Sequence, residues 1–138
     1  MLGQFGSAFF TLEQYMLVKK VHYHQKSKLL DIFFENDFHT TLSAEFLRVY
    51  SPSAEVRGHG PNTAKLVTNK KAVSISKINP VGHYAVRLVF DDGHNSGLYS
   101  WQYLHQLATT QETLWQQYLD KLSSSKATRE PLINIKMV

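Results

Sequence analysis

The sequence predicts an α+β fold: a largely antiparallel sheet built from two β-hairpin–helix units, with C-terminal helices packed on it. Three observations predict it. Leu30, Ile32 and Phe34 alternate with Leu29, Asp31 and Phe33, the period-2 pattern of a strand with one strongly apolar face. Two segments, IFFENDFHTTLSAEFL (32–47) and LVFDDGHNSGLYSWQYL (88–104), repeat one plan of strand, acidic turn, short strand ending in Leu, Ser cap and aromatic-Leu helix. Near the C-terminus, Leu114, Trp115, Tyr118, Leu119 and Leu122 recur at helical spacing.

Residues 1–15 show no capping, alternation or charge logic and are expected to be a dispensable extension, since free termini order poorly unless tied down. A single domain is expected over 16–122, followed by a tail over 123–138. LVKKVHYH (17–24) and LLDIFF (29–34) read as strands joined by a turn at Gln25–Lys28. ENDF (35–38) is turn chemistry, because Asn and Asp bond their own backbone and tolerate left-handed geometry. A short strand, His39–Leu42, should return antiparallel, and Ser43 should cap a helix over Ala44–Val49 with Glu45 in its first turn. SPSAE (51–55) reads as a second helix start, with Ser51 as N-cap, Pro52 at the first helical position and Glu55 closing a box. RGHGPNTAKLVTNK (57–70) is a loop punctuated by Gly, Pro and Asn. Lys71–Ile78 and Tyr84–Phe90 read as strands joined by NPVG (79–82).

In the turn that follows, Gly93 supplies a positive φ and Asp92 supports the reversal, which presents His94 at the hairpin tip. Ser100 should cap a helix ending near Ala108, and Thr109-x-x-Glu112 is a capping box for the last helix. Between the two units Phe34 pairs with Phe90 and Leu42 with Leu98. After one inserted residue, Ser43 pairs with Ser100 and Leu47 with Leu104. Phe34, Phe90, Leu98, Leu104, Trp115 and Leu119 are the expected core.

The chain has 138 residues, 43% of them hydrophobic and 12% aromatic, enough for one core without staples. It has no cysteine, which excludes disulfides, thiolate nucleophiles, and Cys-ligated zinc or iron–sulfur clusters. No apolar run approaches the roughly 20 residues that span a bilayer. The N-terminus carries Glu13 and lacks a basic n-region, so it does not read as a signal peptide, and a cytoplasmic protein without membrane contact is expected.

Catalytic motifs are missing too. There is no G-x-S-x-G elbow and no phosphate-cradling G-K-[ST]. Ser96, His94 and Asp91 lie too close together in one hairpin to converge as a triad. No catalytic residue is assigned, and the chain is not expected to be an enzyme. Of the seven histidines, His22 and His24 lie i, i+2 on one strand face as an H-x-H pair, which reads as an exposed edge pair beside Lys19 and Lys20. Between Val56 and Phe90 there are six basic residues and no acid, which makes Arg57, Lys65, Lys70 and Lys71 candidate anion-binding side chains.

LSAEFLRVYSPSAEVRGHG (42–60) together with VGHYAVRLVFDDGHNSGLYSWQYL (81–104) closely resembles the gamma-butyrobetaine hydroxylase-like N-terminal domain family, formerly a domain of unknown function, in its stand-alone bacterial form. In the hydroxylases this domain resembles a small zinc module with an L-R-x-x-C-x-C-x-x-C run and a histidine from a D-G-H turn. Leu47, Arg48 and His94 match that pattern, but the cysteine positions fall on Ser51, Ser53 and Val56. Neutral hydroxyls and a valine cannot replace thiolates on zinc, so the resemblance implies a degenerate site with no zinc and no other cofactor. His94→Ala is then expected to fold normally. The resemblance carries no catalytic residue.

The reading is therefore a small non-catalytic accessory or protein-interaction domain with an unknown protein partner, near iron–sulfur or metal metabolism by family analogy alone. The alternatives are a metal-binding protein using His94, His59 and Glu55, and a phosphate or nucleic-acid binder working through the basic 56–90 segment.

Overall fold

The computed structural model describes residues 17–58 and 64–132, so the expectations for residues 1–15 and for His59 lie outside the described residues. Strands β1 (Val18–His24), β2 (Leu29–Phe34) and β3 (His39–Ser43) form one antiparallel sheet in the order β1-β2-β3. Helices α1 (Ala44–Val49) and α2 (Ala54–Arg57) follow. Strands β4 (Ile75–Val81), β5 (Ala85–Phe90) and β6 (Leu98–Ser100) form a second sheet in the order β4-β5-β6. Helices α3 (Trp101–Thr109) and α4 (Gln111–Ser124) close the chain. The apolar faces of both sheets, with Phe46 and Leu47 of α1 and Leu104 and Leu107 of α3, bury one common core. The α+β fold of two hairpin units with C-terminal helices is what the sequence predicts.

The repetition extends to single hydrogen bonds. In the first unit Phe34 N–H donates to Phe38 O and Asp37 N–H to Phe34 O; in the second, Phe90 N–H donates to His94 O and Gly93 N–H to Phe90 O. Asn36 Oδ1 accepts from Phe38 N–H as Asp92 Oδ1 accepts from His94 N–H. Both β1 and β4 carry a register shift one residue into the strand, at Val18/Lys20 and at Ile75/Lys77. Ser43 Oγ accepts from Phe46 N–H and Ser100 Oγ from Tyr103 N–H, so both cap the helices the sequence assigns to them. His94 is thus the counterpart of Phe38, and Gly93 (φ 92°) that of Asp37 (φ 66°).

Four expectations are corrected. Leu98 is half exposed, and Tyr99 fills the core position instead. The inserted residue sits before the second short strand, so Tyr99, which directly precedes the cap as Leu42 does, is the true counterpart of Leu42. Second, β4 begins at Ile75 and runs through Pro80 to Val81, so NPVG is mostly strand rather than turn. Pro80 is tolerated because β4 is an edge strand, where a missing N–H breaks no ladder.

Third, α2 starts after Ser53, not Ser51, and no side chain caps it; Ser51 Oγ is engaged by His94. Fourth, the capping box at Thr109 does not form. The hydroxyls of Thr109 and Thr110 donate back to Gln106 O at 3.1 and 2.7 Å, closing α3 rather than opening α4. Phe34, Phe90 and Leu104 are buried, whereas Trp115 and Leu119 are only half-buried against the core.

Candidate functional site

The turn 91–94 and the turn after α1 meet at one end of the molecule. Arg48, in the last turn of α1, places Nε 2.8 Å from Asp92 Oδ2, and Lys70 Nζ lies 2.7 Å from the same oxygen. Burial alone would raise the Asp92 carboxyl. Hydrogen bonds from Lys70, the His94 backbone and Arg48 outweigh it and hold the group at about 2, so it is ionised at neutral pH. Arg48 Nη1 is buried without a hydrogen-bond partner among the described residues.

His94 sits behind this pair with its side chain 3% exposed. Its Nε2 lies 2.8 Å from Ser51 Oγ and 3.4 Å from Ser53 Oγ, and its Nδ1 lies 3.2 Å from Glu55 Oε2. Burial, and then the Arg48 charge, push the imidazole below the ordinary histidine range, so the ring is neutral at pH 7. A carboxylate can only accept, which assigns the proton to Nδ1 and leaves Nε2 to accept from Ser51. Gly97 completes the seat. A Cβ there would stand 2.5 Å from Ser51 Oγ and 3.0 Å from Tyr99 Cε1, so only glycine lets the returning strand pass. His94→Ala, expected to fold normally, would remove a buried side chain bonded through both ring nitrogens and should therefore lower stability.

The structure brings Ser51, Ser53 and His94 together and places Val56 nearby in the buried wall of α2. Their chemistry does not fit zinc: two neutral hydroxyls and an alkyl group stand where thiolates would be needed. Glu55 and the serines also bind opposite edges of the ring, so the two sets cannot share one ion. The His22/His24 pair is close, with ring centroids 4.3 Å apart, but His24 Nε2 is already 2.7 Å from Asp31 Oδ2. Among the described residues no group of three or more His, Cys, Asp or Glu side chains could hold a metal ion.

Two adjoining cavities flank the His94 seat. One, of about 230 Å³, is polar and is lined by Arg48, Glu55, Lys65, Thr68, Lys70 and His94. The other, of about 220 Å³, is walled by Tyr50, Tyr103 and Tyr118 with Val49 and Val56, and bears Arg57, Lys65 and Lys121. Val56, Lys65, Leu66 and Val67 line both. The tyrosine walls are fixed. Tyr50 OH donates to Leu114 O, Tyr103 OH to Tyr50 O and Tyr118 OH to Val67 O, at 2.6, 2.6 and 2.7 Å. Burial pushes the Tyr118 phenol up to about 12, so it stays a donor throughout the physiological range.

The four candidate cations divide. Lys70 is paired with Asp92, and Lys71 Nζ lies 3.2 Å from Glu130 Oε1. The Arg57 guanidinium lies over the Tyr103 ring at 4.7 Å, and Lys65 is exposed at the mouth shared by the cavities. Sequence reading missed Asp92 as an ion-pair centre and Tyr50, Tyr103 and Tyr118 as cavity walls. In the sequence Arg48 stands out only as a motif match.

The family model described as gamma-butyrobetaine hydroxylase-like, N-terminal, matches residues 21–105, more than half of the chain. One NMR solution structure is 51% identical with a TM-score of 0.75, covering 94% of this chain and 97% of that one. A second NMR solution structure is 42% identical with a TM-score of 0.73, covering 88% and 96%. A crystal structure of a protein of unknown function from Acidithiobacillus ferrooxidans, in the DUF971 family, is 33% identical with a TM-score of 0.58, covering 68% and 94%. No curated protein matches the chain. Among the described residues no helix is long and apolar enough to cross a membrane. On the family match and these relatives, the chain belongs to the gamma-butyrobetaine hydroxylase-like N-terminal family.

Proposed function

We propose that the protein is a non-catalytic interaction domain that recognises another protein. The observation that carries this reading is the contrast between the two kinds of chemistry at the end formed by residues 48–58, 64–70 and 91–103. The polar groups of the His94 seat satisfy one another, whereas the neighbouring cavities are rigid, partly apolar and rimmed with cations. Pre-formed concavity with aromatic walls is what a binding site requires, and a self-satisfied histidine is not a reaction centre. A track for nucleic acid is less well supported, because Asp92 and Glu130 neutralise Lys70 and Lys71. Placement near iron–sulfur or metal metabolism rests on family analogy only.

The test is affinity capture from the native host with the immobilised full chain, followed by reconstitution of any captured protein in purified form. A saturable complex of defined stoichiometry supports the reading. Failure of every captured protein to reconstitute would sink it. About one equivalent of zinc in purified protein, lost in His94→Ala, would replace it with the metal reading.

A further inference from the structure

The tyrosine-walled cavity joins three features that select one kind of occupant. Its walls are apolar and immobile, since each of the three phenols is tied to a backbone carbonyl. Its volume of about 220 Å³ lies below the range of about 300–1,000 Å³ usual for whole small-molecule ligands, and suits a single side chain. Among the described residues no carboxylate lines it, while Arg57, Lys65 and Lys121 do. Lys65 and Lys121 are exposed and form no ion pair among the described residues. The Arg57 guanidinium sits over the Tyr103 ring, 4.7 Å from its centroid.

We propose that this cavity is the docking site for an acidic peptide segment of a partner protein, which inserts one leucine or aromatic side chain between Tyr50, Tyr103 and Tyr118 and sets flanking carboxylates against Lys65 and Lys121. The inference rests on the interaction reading and names the partner's chemistry. An apolar anchor in a rigid pocket supplies affinity, and the surrounding cations supply register and steering. Charge alone would not discriminate, because the lysines are exposed to solvent and screened by salt. The apolar pocket alone would not exclude neutral peptides. The combination specifies a side chain of one type in a context of one charge. The acceptor surface ends at Lys65, because in the adjoining cavity Arg48 and Lys70 are held by Asp92 and Glu55 lines the wall.

The experiment selects random twelve-residue peptides by phage display on the full-length chain. Synthetic versions of the enriched sequences are then measured by fluorescence anisotropy at two salt concentrations. Enriched peptides should carry a leucine or aromatic residue flanked by Asp or Glu. Their affinity should fall at least tenfold in Lys65→Glu/Lys121→Glu and at least tenfold in Ala64→Trp, which crowds the cavity from an exposed lining position. Replacing the anchor by serine should abolish binding. Circular dichroism and melting temperature check that both variants fold.

Peptides that bind with no sensitivity to either variant would overturn the site and leave the interaction reading standing. Polyglutamate or a twenty-nucleotide single strand that binds as tightly as the anchored peptides would overturn it in favour of plain charge recognition. Absence of any enriched class, together with failed reconstitution of captured proteins, would remove both readings.

Discussion

Arg129→Ala should be among the most damaging single substitutions on this surface. Arg129 presents Nε and Nη2 to Glu45 Oε2 and Oε1 at 2.8 and 2.7 Å, a two-pronged pair, and stacks over Trp115 at 4.9 Å. The Glu45 side chain is 7% exposed and the Arg129 side chain 33%. Breaking a fully buried pair costs about 3–5 kcal/mol because the remaining charge is stranded, while an exposed pair is worth about 1 kcal/mol or less. With the carboxylate buried and the guanidinium one-third in water, the expected loss is about 2–3 kcal/mol. Glu45→Gln should cost less, about 1 kcal/mol, since the arginine it leaves unpaired can hydrate. The double variant should then show a coupling of about 1–2 kcal/mol. Urea denaturation at 25 °C of wild type, both single variants and the double variant measures all three. A loss below about 0.5 kcal/mol for Arg129→Ala, or strict additivity, would refute the idea that this pair anchors the segment after α4 to α1.

Gly97→Ala should lower stability by about 1–3 kcal/mol through overpacking against Ser51 and Tyr99, read as a drop in melting temperature; no drop would mean the returning strand is not seated on Ser51. Gly93→Asp should cost about 1 kcal/mol and Gly93→Val clearly more, because Asp37 already adopts the matching left-handed conformation while a β-branched residue resists it; equal costs in urea melts would break the correspondence between the two turns. Asp92 has a folded pKa of about 2 against an ordinary 3.8, so its stabilisation is complete above the higher value and disappears as pH falls through the lower; Asp92→Asn should flatten acid unfolding in that window. His94→Ala should cost about 1–3 kcal/mol at pH 7.5. Because folding depresses the His94 pKa, its stabilisation is present above the ordinary 6.5 and fades below it, so a cost that stays constant down to pH 5 would contradict the buried neutral ring.

Strand and helix content was legible where the signal was local. The alternation in 29–34 and the serine caps at 43 and 100 define elements that depend on residues within one turn of them. Pro80 misled because its meaning depends on whether the strand is an edge, a property of the whole sheet. Ser51 misled because a hydroxyl in a helix-start pattern was bonded by a histidine 43 residues away. The same limit hid the tie between Arg129 and Glu45, which are 84 residues apart. Of the site, the meeting of the SPSAE turn with the DDGH turn could be read from the family resemblance. The tyrosine walls could not, since Tyr50, Tyr103 and Tyr118 come from three helical regions and share no spacing.

The two hairpin turns show how one backbone plan acquired two surfaces. At Phe38 the first turn packs a ring rather than a polar group: it lies 5.5 Å from Phe34 and 4.9 Å from His105 of α3. At the matching position His94 keeps the contact with the preceding strand, lying 6.1 Å from Phe90, but its two nitrogens turn toward Ser51 and Glu55 instead. Likewise Asn36 supports its turn as a neutral group, whereas Asp92 does the same with a charge that gathers Arg48 and Lys70. Two of the four differences between the turns, Asp92 for Asn36 and His94 for Phe38, therefore tie α1, α2 and Lys70 to the second hairpin. That recruitment places Val56 and Leu66 between the polar seat and the tyrosine walls, which is why the cavities lie beside the second unit's turn and share Lys65.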